Sequence, residues 1–365
     1  MKAPHRCPLL RPLLLAGLAL ATLATRSAAQ VVVTGATYGA LQNTTNRTAG
    51  NITYLNEFRP VTSVATGAGD YQFNGPTATT VSARRNTGAG NPNNTTAFFQ
   101  YSSTSGGTAT VFGAGDTTPT LDELLRSGDL TQGIRNPFAN GAGSTNSNIE
   151  RLDFFFSGGY TVQAGDGLVF FDLENQNNFG DGFRIAAFTA VGTVNGQANA
   201  PTTYANTGLL VQPDSYGGPV NTPTGTNARY IRSTTTNGDN LASGQTIATI
   251  DTNQGTLGAS DLYLVGILVR FSDLGITAGT TIFGYSLLAD DVTPSTAANL
   301  VNWNDATIYP TNTNPATSGN IDFMAFGAQI ARPVPEPSTY GMIFIGLGLA
   351  GFGLRRYLAP RRQSA

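Results

Sequence analysis

The sequence is short of the residues that most enzymes use for acid–base and nucleophilic chemistry. Its 365 residues include one cysteine, Cys7, and one histidine, His5, and both precede a predicted signal cleavage site after Ala29. Without them, the exported chain can form no disulfide, no Cys or His metal site and no Ser-His-Asp relay. Its stability must therefore come from an ordinary hydrophobic core, for which residues 30–333 are long enough.

Basic charge is also scarce. Residues 30–333 contain 12 arginines and no lysine against 21 acidic residues, which gives a net charge of −9. A negative body without a basic run has no patch that could neutralise phosphates, which argues against nucleic-acid binding. The negative charge favours solubility and could also recruit divalent cations.

The N-terminal 29 residues have the pattern of a secretory signal peptide. The segment begins with basic residues, Lys2, Arg6 and Arg11, and continues with an apolar run over residues 13–24. Small residues end it at Ala29, directly before Gln30. This order predicts cleavage by signal peptidase between Ala29 and Gln30 and export of the rest.

The last 32 residues combine a proline-flanked motif, an apolar run and a basic end. The motif is Val334-Pro335-Glu336-Pro337-Ser338, the apolar run covers residues 340–354, and the basic residues are Arg355, Arg356, Arg361 and Arg362. Fifteen apolar residues are fewer than the roughly 20 of a stable spanning helix, so we expect transient membrane association. The arginines would hold this end in the cytoplasm and leave the upstream chain outside.

This C-terminal arrangement resembles the PEP-CTERM sorting signal of Gram-negative and related envelope-forming bacteria. The resemblance rests on Pro335-Glu336-Pro337, the glycine-rich apolar segment and the terminal arginines, and it is limited to residues 334–365. It implies processing by an exosortase, an integral-membrane cysteine transpeptidase that cuts near the motif and delivers the protein to the cell surface or extracellular matrix. It also implies an association with exopolysaccharide or biofilm matrix, and it leaves the upstream body unassigned.

The body has the composition of an all-β protein. Short runs rich in Val, Ile, Phe, Tyr and Thr alternate with Gly, Asn, Ser and Pro, which predicts strands separated by turns. Predicted strands cover residues 30–33, 51–58, 97–101, 108–112, 151–156, 168–173, 183–194, 228–232, 246–251, 262–271, 280–287 and 321–326. One capping box, Thr120 to Glu123, predicts a short helix through Arg126. Many strands and almost no helix favour an antiparallel β-sandwich or jelly roll with long Gly/Thr/Asn-rich loops.

The strand pattern also predicts pairings and an organisation of the body. We expect residues 165–194 to form a hairpin, and the strands at 262–271 and 280–287 to pair with each other. Residues 30–145 are predicted to be more loop-rich and residues 146–333 to form the core. The polar stretches at 34–51 and 65–94 are expected to be loop-rich or, as the alternative, β-solenoid-like, although they show no fixed repeat period, and 195–227 is expected to be a long surface loop.

One polar loop gathers oxygen ligands of the kind that Ca²⁺ requires. Asp172, Glu174, Asn177 and Asp181 are the candidate ligands, although their spacing differs from that of an EF-hand. The alternative interpretation is ordinary turn chemistry, because Asp and Asn side chains bond to turn backbones.

The only tryptophan, Trp303, lies in a loop with Asn302 and Asp305, which suggests a carbohydrate contact. A flat ring can stack on a sugar, and amide and carboxylate groups can bond to its hydroxyls. The alternative is that Trp303 pins the loop to the core, since Trp is well buried on average.

Two classes of function remain open. The first is a noncatalytic cell-surface or matrix protein that interacts with polysaccharide. The second is an extracellular carbohydrate-active enzyme that uses two carboxylates, a hydrolytic chemistry that needs neither His nor Cys. Asp290 and Asp291 are a candidate pair, but adjacent strand residues point to opposite faces, so a turn is the simpler interpretation.

Overall fold

The computed structural model describes the central strands of the body and its last strand. The described residues are 30–39, 61–86, 149–174, 180–220, 262–311, 313, 321–324 and 327–335, with shorter segments at 42–43, 47–49, 52–54, 57–58, 95–98, 111–113, 125–126, 133–135, 137–138 and 229–230. Within these residues, no helix has both the length and the apolar character needed to cross a membrane. The predicted signal peptide and the apolar segment at 340–354 lie outside the described residues.

The described chain is almost entirely β. The strands are β1 Val31–Tyr38, β2 Gln42–Asn43, β3 Arg47–Ala49, β4 Ile52–Tyr54, β5 Glu57–Phe58, β6 Val61–Thr66, β7 Gly69–Gln72, β8 Thr80–Arg85, β9 Thr95–Phe98, β10 Val111–Gly113, β11 Gly133–Arg135, β12 Ile149–Thr161, β13 Gly167–Glu174, β14 Phe183–Val194, β15 Gln197–Tyr204, β16 Leu209–Val211, β17 Arg229–Tyr230, β18 Leu262–Arg270, β19 Thr281–Ala289, β20 Asp322–Met324 and β21 Ile330–Pro333. A 3₁₀ helix covers Ala297–Leu300. Every strand pairing is antiparallel, which confirms the prediction of an antiparallel all-β protein.

Six of the strands form a closed ring. β1 pairs with β6, β6 with β7, β7 with β21, β21 with β13, β13 with β18, and β18 pairs back to β1. The ring encloses a small core of its own, which includes Val33, Val64, Phe171, Leu268 and Ala331. The pairing changes partner within some strands: β1 pairs with β18 through Val31 and Val32 and with β6 from Val33 onward.

A second sheet packs against the ring. Its strand order is β15-β14-β19-β12-β8, and β16 also pairs with β14. Phe154 and Tyr285 of this sheet belong to the same buried cluster as Phe170 and Ile267 of the ring. The rings of Phe154 and Tyr285 are stacked with centroids 4.7 Å apart, and Phe170 meets Tyr285 edge-on at 6.1 Å. The main core therefore lies between the ring and this second sheet.

The continuous apolar runs in β13 and β18 result from burial on both faces. In β13, Phe170 faces the main core whereas Phe171 faces the interior of the ring. In β18, Ile267 faces the main core and Leu268 faces the interior of the ring. Successive side chains of a strand point to opposite faces, so a strand between two cores needs apolar residues at every position.

Both predicted pairings of neighbouring strands are wrong. β13 pairs with β18 and β21, whereas β14 pairs with β15, β16 and β19 in the other sheet. β18 and β19 are likewise in different sheets. The connections after β13 and after β18 thus carry the chain between the two sheets, a path that apolar patterning alone does not distinguish from a hairpin.

Several strands lie where the sequence predicted loops. β6, β7 and β8 fall in or beside the polar stretch 65–94, and β15 falls in 195–227. These strands are only partly buried, as in β6, where Val61 and Val64 are buried and Thr62 is exposed. The predicted helix ending at Arg126 is described only at Leu125 and Arg126, which are helical.

Candidate functional site

The sorting motif begins at Val334, directly after β21, and this first residue is still bonded to the sheet. β21 pairs with β7 through Arg332 and Pro333, and the backbone N–H of Val334 donates to the carbonyl of Asp70 at 2.8 Å. Pro335 is exposed. Glu336, Pro337, Ser338 and the arginines at 355, 356, 361 and 362 lie outside the described residues, as does Ala29 at the signal cleavage site.

The other end of the body has a similar arrangement. Gln30, the predicted first residue of the exported chain, directly precedes β1, and its side-chain amide donates to the carbonyl of Leu210 at 2.9 Å. Both ends of the predicted exported body are therefore joined without a spacer to strands of the ring.

The predicted carbohydrate contact at Trp303 is wrong, because the ring is buried. The side chain is 1% exposed, and it lies over the guanidinium groups of Arg151 at 4.9 Å and Arg84 at 5.4 Å. The predicted polar partners of Trp303 make hydrogen bonds within the protein instead. The side-chain oxygen of Asn302 accepts from the Asn195 side-chain amide at 2.9 Å, and the Asp305 carboxylate accepts from the backbone N–H of Thr307 at 3.0 Å. Trp303 pins its loop to the second sheet, which was the alternative interpretation.

Beneath Trp303 lies a buried ionic cluster that the sequence did not reveal. The Asp153 carboxylate binds Arg84 Nε and Arg151 Nε, each at 2.7 Å, and accepts from Ser286 Oγ at 2.6 Å. Tyr204 and Ser286 hydroxyls are 2.7 Å apart. Burial acts to lower the pKa of Arg151, but the charge of Asp153 raises it above its ordinary value, so the guanidinium stays ionised. Because Asp153, Arg84 and Arg151 are buried and paired with one another, we interpret their role as holding the Trp303 loop on the second sheet.

The predicted calcium ligands do converge. One carboxylate oxygen from each of Asp172, Glu174 and Asp181 lies within 4.8 Å of the others, with Asp172 and Glu174 buried. Asp172 also accepts from the backbone N–H of Asp181 at 2.8 Å, which ties the end of β13 to the start of β14. Asn177 lies outside the described residues. Carboxylate oxygens at this spacing match the ligands that Ca²⁺ takes, and calcium binding here stays a prediction.

The aromatic residue beside these carboxylates is Tyr216. Its hydroxyl donates to the carbonyl of Asp181 at 3.1 Å, and burial raises its pKa well above the ordinary value. The charges of Asp172 and Asp181 raise it further. Gly180 allows this approach, because a Cβ there would lie 1.9 Å from the Tyr216 ring and its φ is +95°.

Asp290 and Asp291 lie in the turn after β19. Burial raises the pKa of Asp291 to about 6, while a hydrogen bond from Thr313 opposes that shift and the neighbouring Asp290 adds to it. A raised pKa suits a general acid, but a glycosidase also needs a second carboxylate across a sugar-sized gap. Two carboxylates on adjacent residues of a turn give no such arrangement by themselves.

A cavity on the second sheet offers a neutral binding surface. Its volume is about 490 Å³. The lining consists of hydroxyl, amide and apolar groups without an ionisable side chain: Thr79, Thr80, Ser82, Phe155, Phe156, Ser157, Gly158, Val191, Asn199 and Phe283. Phe155 and Phe283 are partly exposed, and Val191 is 41% exposed. The sequence missed this site because its lining comes from five separate strands and their turns.

Comparison with known proteins locates the sorting motif and nothing upstream of it. Residues 333–356 match the family model of the PEP-CTERM protein-sorting motif. No curated protein and no solved structure matches the chain. The match confirms the resemblance of the tail: the C-terminal region of this chain is a PEP-CTERM protein-sorting motif, which marks the chain as an exported protein sorted by an exosortase.

Proposed function

We propose that the chain is the precursor of a noncatalytic cell-surface or matrix protein that associates with exopolysaccharide of a biofilm. Signal peptidase removes residues 1–29, the apolar segment 340–354 holds the precursor in the membrane, and the exosortase then separates the body from its tail. The observation that carries this proposal is the sorting motif at residues 333–356.

The body is well suited to a structural or binding role outside the cell. We interpret its two largest antiparallel sheets, which pack together, as a β-sandwich in which one sheet is closed into a ring. The absence of Cys and His from residues 30–365 leaves no reactive side chain of these types.

With Trp303 buried, the cavity on the second sheet is the better candidate for contact with a glycan. The partly exposed rings of Phe155 and Phe283 can cover the apolar face of a sugar, and Thr80, Ser82 and Asn199 can exchange hydrogen bonds with its hydroxyls. Because no charged side chain lines the cavity, a neutral sugar unit fits it better than an acidic one.

The test is retention of the exported protein on matrix from the producing cells. The double variant Thr80→Val/Ser82→Ala removes two hydroxyls from the cavity and is expected to weaken retention severalfold. Thr62→Val removes an exposed threonine hydroxyl on β6, outside the cavity, and serves as the matched control. Equal retention of all three proteins would place glycan binding elsewhere.

The same protein tests the enzyme alternative. Release of reducing ends from a matrix glycan, abolished by substitution of one carboxylate, would establish a carbohydrate-active enzyme. The carboxylates to substitute are Asp172, Glu174, Asp181, Asp290 and Asp291. Glycosidases that retain configuration place their two carboxyl groups about 5–5.5 Å apart and leave them open to the substrate. The burial of Asp172 and Glu174 therefore favours a role in structure or cation binding.

A further inference from the structure

The cavity on the second sheet lies between two irregularities of its strands. In β12, the register against β19 shifts after Phe155, and Gly158 in the shifted stretch has a φ of +77°. In β15, two residues, Ala198 and Asn199, lie opposite a single residue of β14. Gly158 and Asn199 both line the cavity. Bulges of this kind re-aim a side chain and are common beside binding sites, so the strands are shaped at this point.

The backbone of Asn199 is held by a side chain from another strand. Its φ of 52° lies in the left-handed region, which residues other than glycine seldom adopt and which asparagine tolerates best. Its side chain is exposed to the cavity, whereas its carbonyl accepts a hydrogen bond from the Arg84 guanidinium. Arg84 thus fixes the backbone of the residue that brings an amide to the cavity.

The Arg84 guanidinium reaches from β8 to β15, the two end strands of the second sheet. Its Nε donates to the Asp153 carboxylate at 2.7 Å, and its Nη1 donates to the Gln197 side-chain oxygen at 2.9 Å. Its Nη2 donates to the Asn199 carbonyl. In the described part of the chain, β8 and β15 are not paired with each other. The sheet is therefore curved so that one side chain can join its two end strands.

The charge of Asp153 does not by itself require Arg84. Arg151 binds the same carboxylate at 2.7 Å and is fully buried, so these two residues would form a neutral pair on their own. A second guanidinium that is 4% exposed carries a desolvation cost, which further hydrogen bonds must offset. Those further bonds of Arg84 are the ones to β15, and they are what this residue adds to the cluster.

We propose that Arg84 is a positioning residue of the cavity, which it completes by joining β15 to β8. This inference rests on the proposed function, in which the cavity contacts a neutral sugar unit. Ser82 on β8 and Asn199 on β15 both line the cavity. Because Arg84 fixes the separation of the two strands, the hydroxyl of Ser82 and the amide of Asn199 are in place before the ligand arrives. A preformed site loses less conformational entropy when it binds.

Arg84 also supports the apolar side of the cavity. Its guanidinium lies 5.9 Å from the centroid of the Phe155 ring, which is one of the lining residues, and 5.4 Å from that of Trp303. The guanidinium itself is not part of the lining. Arg84 therefore acts on a bound sugar through Asn199 and Phe155 and does not touch it.

The first test measures the separation of the two strands in the exported protein. The chain has no cysteine after Cys7, so Thr80→Cys with Ala198→Cys provides one pair of sites for spin labels, one on each strand and both exposed. Arg84→Lys keeps a positive charge beside Asp153, but a single ammonium cannot reproduce the planar three-way contact. We expect electron paramagnetic resonance to show a longer and broader distance distribution in Arg84→Lys. An unchanged distribution would overturn the proposal.

The second test measures retention on matrix from the producing cells. Retention of Arg84→Lys should fall about two- to tenfold while the protein stays folded, which is the order expected when one side chain must be ordered on binding. Arg270→Lys is the matched control, because Arg270 is bonded to Asp273 at 2.9 Å on the ring, outside the cavity, and it should be retained like the parent. A purely structural role would change melting and retention together.

The outcomes separate this inference from the proposed function. If Thr80→Val/Ser82→Ala weakens retention and folded Arg84→Lys does not, the cavity binds the glycan and the positioning role is wrong. If Thr80→Val/Ser82→Ala is retained like the parent, the glycan site itself fails. Gln197→Ala removes one contact to β15 and leaves every buried charge in place, so it serves if Arg84→Lys lowers the folded fraction. It should broaden the label distances in the same direction to a smaller extent, and unchanged distances would refute the role of Arg84.

Discussion

The buried ionic cluster on the second sheet allows a sharp prediction about stability. Asp153 is fully buried and is the carboxylate that pairs with both Arg84 and Arg151, each at 2.7 Å. Asp153→Asn keeps the shape of the side chain but removes the negative charge. Two buried guanidinium groups then lose their counter-ion, one of them fully enclosed beneath Trp303.

The expected loss is large relative to the total stability. Removal of one partner from a buried ion pair costs about 3–5 kcal/mol, and the whole domain is stable by about 5–15 kcal/mol. For a body of 304 residues, an unfolding entropy of about 2.1 cal/mol/K per residue makes each kcal/mol worth about 1.6 °C, so Tm should fall by roughly 5–8 °C. Urea denaturation and thermal melting of the exported body measure both quantities.

A double variant tests whether charge is the cause. If the cost comes from uncompensated positive charge, Arg84→Gln should partly rescue Asp153→Asn, so that the double variant loses less than the sum of the single variants. Asp70→Asn, at an exposed position on β7, is the control and should leave the transition unchanged. A loss below about 1 kcal/mol for Asp153→Asn, or strict additivity in the double variant, would refute this reasoning.

Three other predictions follow from the same structure. Trp303→Ala should destabilise the body by about 3–5 kcal/mol, as for other buried aromatic residues. Retention on the matrix should then fall only in proportion to the unfolded fraction of the variant. If a fully folded variant loses retention, Trp303 is a binding residue after all. Calcium at a hundredfold excess over Kd should stabilise the body by about 2.7 kcal/mol, and Asp172→Asn should abolish this effect. Melting curves with chelator and with millimolar calcium that superimpose would exclude the site. Mass spectrometry of the exported protein should find Gln30 as the first residue and no peptides from residues 355–365, whereas an N-terminus upstream of Gln30 would contradict the signal cleavage.

The sequence alone was sufficient for features that depend on composition or on neighbouring residues. The sorting motif, the absence of Cys and His from the exported chain, and the antiparallel β class are of this kind. The sequence was also sufficient to predict that three carboxylates lie close together, those of Asp172, Glu174 and Asp181. All three lie within ten residues of the chain, so a single loop can bring them together. By contrast, the β14–β15 hairpin turn at Asn195-Gly196, with φ values of 50° and 75°, lies in a stretch whose polar composition predicted a loop.

Tertiary structure alone decided which strands are neighbours and which polar residues meet. Apolar runs identify β13 and β18 as strands, but their pairing depends on two cores that form only when distant segments assemble. Arg84 and Asp153 are 69 positions apart, and no local pattern could indicate that they share a buried ion pair beneath Trp303. Trp303 itself looks the same in sequence whether its ring faces solvent or a guanidinium group. The sequence thus determined the composition of each segment, whereas burial, which arises from contacts between remote segments, decided the role of each side chain.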